Sequence, residues 1–205
     1  MDLNQITTLD VNNQEEIEAF ALSIRQDDIP MLIALLSEKD DKLRYPAYLT
    51  AMALSKERGD LYPYWDEFKN KTLSDNSYQR NIGYTLMARN AIWDEKGLME
   101  RDIEQYLLCL HDEKPITVRL AVSALSELAP YKKDLLNKVA DKLISFDLSS
   151  IKETMRKLVL IDILNVLITY REFIDYEEID SFIASAFTGG ILDRKAIKEL
   201  EEKLK

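Results

Sequence analysis

Apolar residues recur three and four positions apart along most of the chain, and short polar stretches interrupt them at near-regular intervals. That period is helical, because positions so spaced share one face of a 3.6-residue turn. Four polar stretches each divide two amphipathic runs: Ser37-Glu38-Lys39-Asp40-Asp41, Ser74-Asp75-Asn76-Ser77, His111-Asp112-Glu113-Lys114-Pro115 and Leu148-Ser149-Ser150. Their side-chain oxygens suit N-caps, accepting bonds from the free N–H groups of the next helix. Pro115 suits a first helical turn. The pattern predicts a helix over 13–26 and then four helix–turn–helix pairs: 29–38 with 42–58, 61–73 with 76–93, 98–111 with 115–129, and 132–146 with 150–171. Helices over 176–187 and 193–204 follow, the first of them ended by Gly189-Gly190. Pro46 is awkward inside 42–58, since it removes a hydrogen bond. It predicts a late start near Tyr45 or a bend.

The pairs repeat in sequence as well as in pattern. Arg44, Arg80, Arg119 and Arg156 each precede an apolar run, at spacings of 36, 39 and 37 residues. Such a period marks an array of supersecondary units. The third unit, Pro115-Ile116-Thr117-Val118-Arg119-Leu120-Ala121-Val122-Ser123-Ala124-Leu125, resembles the second helix of a HEAT repeat: Val-Arg, then small residues, then Leu. Tyr78-Gln79-Arg80-Asn81-Ile82-Gly83-Tyr84 and Leu43-Arg44-Tyr45-Pro46-Ala47 echo it. The resemblance covers about residues 28–171 and is to a small, divergent, bacterial-type member of the HEAT-like superfamily. It implies an all-α fold, a right-handed α-α superhelix (α-solenoid) of about four two-helix repeats. Residues 1–205 would form one domain, with an N-terminal capping helix over 13–27, repeats over 28–171 and C-terminal capping helices over 172–205. It also implies that the four arginines are structural, bonding a turn acid or carbonyl of their own or the next repeat. Small residues such as Ala47, Gly83 and Ala121 let helices approach. The spacing is shorter than the 40–47 residues usual for such units, and the distance from arginine to apolar row drifts by one between repeats.

Composition narrows the functions. The chain has 205 residues and a net charge of −10, which disfavours nucleic acid unless the bases gather on one face. They gather only partly: residues 1–40 hold nine acids against two bases, and residues 114–160 hold nine bases against five acids. The single cysteine, Cys109, excludes an internal disulfide and sits in an apolar run that suits a buried thiol. Met1-Asp2-Leu3-Asn4 lacks the charged start and apolar stretch of a secretory signal. The most apolar segment, 158–169, is broken by Asp162 and Asn165 and is too short to span a bilayer. The expectation is a cytoplasmic protein.

Few residues carry chemistry. His111 is the lone histidine and lies at a helix end, where capping or exposure is its ordinary role. A zinc site needs more ligands, so no metal and no cofactor are expected. Glu177-Glu178 and Glu201-Glu202 read as solvated faces, and Gly189-Gly190 lacks the lysine and strand of a phosphate loop. Aromatic residues concentrate in the first half, and their apolar bodies and polar tips suit cores and interfaces alike. In the helix over 150–171, Thr154, Asp162, Asn165, Thr169 and Glu172 fall in one narrow stripe. The candidate partner-binding set is therefore Tyr45, Tyr48, Tyr84 and Arg89 from the first two repeats and Asp162, Asn165 and Thr169 from that helix.

The function expected from these observations is a non-catalytic protein-interaction module or scaffold that uses the concave surface of the repeats. The partner is a protein of unspecified identity, and the chain itself is a monomer or weak homodimer. Two alternatives stand beside it. One is a DNA-repair protein similar to the HEAT-like alkyl-purine DNA glycosylases, for which Trp65-Asp66 and Trp93-Asp94 are superficially similar pairs. The other is a small acidic inhibitor or immunity-type protein.

Overall fold

The structure is a computed structural model that describes residues 3–205; Met1 and Asp2 lie outside the described residues. Twelve α-helices and no strand occur among those residues. α1 (Leu3–Thr8) precedes the first expected helix, which is α2 (Gln14–Ser23). The pairs then follow as α3 (Ile29–Leu35) with α4 (Asp41–Glu57), α5 (Trp65–Lys71) with α6 (Ser77–Arg89), α7 (Leu98–Leu107) with α8 (Pro115–Ala124), and α9 (Lys133–Ile144) with α10 (Glu153–Tyr170). α11 (Glu177–Thr188) and α12 (Arg194–Lys203) close the chain.

The local chemistry accounts for the boundaries. Asp40 and Asn76 cap α4 and α6, their side chains accepting from the Lys42 and Tyr78 N–H groups. Asp193 caps α12 in the same way at the Ala196 N–H. α5 is shorter than the expected 61–73 because Pro63 holds residues Gly59–Tyr64 in a 3-10 turn. Pro46 neither delays nor divides α4, which starts at Asp41 and carries the proline inside it. The bond lost there is the one to the Lys42 carbonyl, in an exposed first turn where water can replace it.

The helices form two compact units, which meet in sequence at Met99 and Glu100. In the first, α4 is the centre, packed by α1, α2, α3 and α6. Leu32, Leu36, Ala47, Leu54, Trp65, Phe68 and Leu86 are buried there, and each large apolar side chain contributes about 1.5–3 kcal/mol by leaving water. Gly83 sets the approach of α6 to α5: a Cβ at this position would stand 2.5 Å from the Phe68 carbonyl oxygen and 2.9 Å from the Thr72 nitrogen. In the second unit α10 is the centre, packed by α8, α9, α11 and α12. Two buried tyrosines tie that unit together. The Tyr106 hydroxyl donates to the Ala121 carbonyl (2.9 Å), and the Tyr170 hydroxyl donates to the Leu125 carbonyl (3.0 Å). Both acceptors lie where α8 tightens into the 3-10 turn Leu125–Leu128.

No helix among the described residues is long and apolar enough to cross a membrane.

Candidate functional site

The four repeat arginines occupy two different positions in their helices, and their partners follow from that. Arg44, Arg80 and Arg156 are each the fourth residue of α4, α6 and α10. From there a guanidinium folds back over its own helix start. Arg44 donates to the Glu38 carbonyl (2.9 Å) and pairs with Asp41, and its guanidinium lies 4.9 Å from the Tyr78 ring centre. Arg80 donates to the Ser74 and Asp75 carbonyls at 2.9 and 3.0 Å. Arg156 donates to the Ile151 and Ser149 carbonyls at 3.0 and 3.1 Å. Arg119 is the fifth residue of α8, turned by about 100° from the other three. It faces α10, where Nε and Nη2 reach the two oxygens of Asp162 at 2.6 and 3.3 Å.

That ion pair decides the position of Asp162, which is 7% exposed with its carboxylate taken by Arg119. Between residues 158 and 169, α10 is open only at Leu158, Ile161, Asn165 and Thr169. Asn165 and Thr169 line a groove of about 500 Å³ with Ser123, Ser126, Glu172 and Lys203. Lys203 crosses its rim to donate to Asn165 Oδ1 at 2.7 Å.

α4 is open along a different kind of stripe. From Tyr45 to Lys56 every residue is buried except Tyr45, Tyr48, Leu49, Met52 and Lys56. At about 100° per residue these five fall within about 100° of arc. A helix in a small unit ordinarily turns polar residues to water; this one exposes Tyr45 and Lys56 and leaves Tyr48, Leu49 and Met52 half-buried between them. Tyr45 is 48% exposed, and its ring centre stands 6.4 Å from that of Tyr48. The stripe floors a groove of about 300 Å³ between α2 and the end of α6, walled by Gln14, Glu18 and Arg89. Gln14 donates to Glu18 Oε1 at 2.8 Å. The Tyr48 phenol is raised chiefly by burial, against the opposing effects of the Thr85 side chain and of the Arg89 charge. The hydroxyl end of Tyr48 thus lies toward α6 while part of the ring lines the groove.

The expected partner-binding residues therefore divide. Tyr45, Tyr48 and Arg89 come together at or beside the α4 groove, and Asn165 and Thr169 share the α10 groove. Tyr84 is 4% exposed, within the core of the first unit, and Asp162 is occupied by Arg119. Leu49, Met52 and Lys56 lie on the same face as Tyr45 and are not among the expected residues, because α4 is apolar on its other faces too.

The remaining candidates are committed to structure. Trp65 is buried at 1% exposure, and the Trp93 indole donates to the Ser55 carbonyl at 2.6 Å. Asp94 caps α7 by accepting from the Leu98 and Met99 N–H groups, both at 2.8 Å, and also accepts from the Tyr62 hydroxyl at 2.7 Å. Burial and that bond to Asp94 push Tyr62 up to about 12. Cys109 is fully buried, which pushes its thiol well above the ordinary range. Among the described residues no group of three or more His, Cys, Asp or Glu is placed to hold a metal ion.

Comparison of the chain with protein-family models, with curated proteins and with solved structures found no match.

Proposed function

We propose that the chain is a divergent HEAT-like α-solenoid that works as a non-catalytic protein-interaction module, and that the open stripe of α4 is its principal contact surface. The observation that carries this reading is the stripe itself. Tyr45, Tyr48, Leu49 and Met52 are the only unburied residues of α4 over three turns, and all four have large apolar bodies. An apolar face left partly open on the central helix of a unit, with Tyr45 exposed and Tyr48, Leu49 and Met52 half-buried, leaves contiguous apolar surface for a partner to cover. Tyrosine and methionine suit such a surface, the first as a rigid anchor and the second as an adaptable filler. The HEAT-like assignment is supported by the turn-binding arginines at the start of three second helices and by the close approach at Gly83. Against the DNA-repair alternative stand the fixed roles of Trp65, Trp93 and Asp94 and the net charge of −10.

The test is affinity capture from the native host, with wild type and Met52→Gln compared and both protein and nucleic acid recovered. A recurrent protein partner that is lost from the variant supports the module. Duplex DNA recovered in a salt-sensitive manner by both proteins refutes it.

A further inference from the structure

We propose that α12 is a releasable strap: it holds in cis a face of α10 that accepts an amphipathic helix, and a partner helix with the same apolar edge displaces it. The edge is narrow. Leu192, Ala196 and Leu200, four residues apart, are 7%, 5% and 2% exposed, while all seven charged residues among the ten of α12 are exposed. Two polar ties set the register. Asp193 pairs with Lys157, and Lys203 donates to Asn165 Oδ1 at 2.7 Å, so α12 runs alongside α10 in the same direction. At about 100° per residue, Lys157, Ile161, Leu164, Asn165 and Ile168 share about 100° of the α10 circumference, and this is the face that the strap holds. Ile168, Asn165 and Lys203 also line the groove of about 500 Å³, so release of α12 extends that groove over apolar floor.

The manner of attachment marks α12 as releasable. α8 is joined to α10 by the half-buried pair of Arg119 with Asp162, and the turn after α8 by the buried Tyr170 hydroxyl. Both ties of α12 are exposed, and exposed pairs contribute little. The linker is open as well: Gly189, Gly190 and Ile191 are exposed, Gly190 turns at φ +79°, and a Cβ there would meet no atom within 4 Å. Asp193 also caps α12, accepting from the Ala196 N–H at 2.9 Å. A helix of ten residues is marginal in water alone, so docking and helix formation go together.

The test uses the full chain and a labelled peptide of residues 189–205. Leu200→Asp loosens the strap without altering α10, and Cys109, buried in the same unit, reports whether that unit stays folded. In the wild-type protein the α12 amides should exchange with deuterium well before those of α10. A strap closed in about nine of ten molecules weakens peptide binding about tenfold. Leu200→Asp should therefore bind the peptide at least about tenfold more tightly than wild type, with Cys109 still unreactive, and a peptide carrying the same substitution should not bind. Equal affinity of the two proteins, no binding by Leu200→Asp, or α12 amides that exchange only together with those of α10 would each overturn the strap. Alkylation of Cys109 in native Leu200→Asp at the rate of a free thiol would overturn it too, since α12 would then be part of the core. The α4 stripe lies in the other unit and stands or falls separately.

Discussion

One position in a helix separates Arg119 from the other repeat arginines, and it changes what the residue does. Fourth-position arginines satisfy carbonyls of their own turn, whereas the fifth-position arginine faces the neighbouring helix and takes Asp162. The spacing of the arginines was legible in the sequence, and so was the drift of one residue. The partner was not, because Asp162 belongs to the polar stripe of α10 by angle alone; only the approach of α8 shows that this one member is turned inward. Replacing Asp162 by Ala leaves Arg119 half-buried without its carboxylate and should cost about 2 kcal/mol, while Asp162→Asn, which keeps one acceptor, should cost about 1 kcal/mol. Urea unfolding of the two variants measures both. Tyr62 offers a pH test. Its phenol is raised from 10.0 to about 12 in the folded chain, so its contribution is complete below pH 10 and disappears as the pH rises through about 12. Tyr62→Phe should therefore be less stable than wild type at pH 9, and the gap between their urea midpoints should narrow toward pH 12.

At the scale of elements, helix contacts depend on small residues and on buried hydroxyls. Gly83→Ala would drive a methyl against the Phe68 carbonyl, a backbone atom that cannot swing aside. The variant should lose at least about 2 kcal/mol, more than the roughly 1 kcal/mol that alanine gains over glycine in helix propensity. Tyr106→Phe and Tyr170→Phe each remove a donor from a buried carbonyl and should cost about 1–2 kcal/mol apiece, read by thermal or urea unfolding. The helices themselves were mostly legible, since caps and periodicity mark their ends within a few residues. What escaped was which face each helix leaves open. α4 is apolar nearly all round, so periodicity alone did not distinguish Tyr48, Leu49 and Met52 on the open stripe from Ala47, Ala51 and Leu54 in the core. Tyr84 was misleading for the same reason: its polar tip suited an interface, but α6 is buried continuously from Ile82 to Ala88.

The whole molecule carries separate reporters for its two units. Both tryptophans, Trp65 and Trp93, lie in the first, and the one cysteine, Cys109, lies in the second. Cys109 is buried and its thiol is raised, so it should resist alkylation in native buffer and react only as the second unit opens. Its labelling in urea should follow the loss of helix and should begin at lower urea in Tyr170→Phe. Labelling of the native protein at the rate of a free thiol would contradict the packing of that unit.

The open stripe of α4 as the partner surface is tested most directly by photo-crosslinking in the native host. A photoreactive residue is placed at position 52, on the stripe, and in a second protein at position 73, where Leu73 is 66% exposed but lies off the groove. The interaction reading predicts a discrete protein adduct from position 52 and none from position 73. The same adducts from both positions, or nucleic acid joined at position 52, would contradict it.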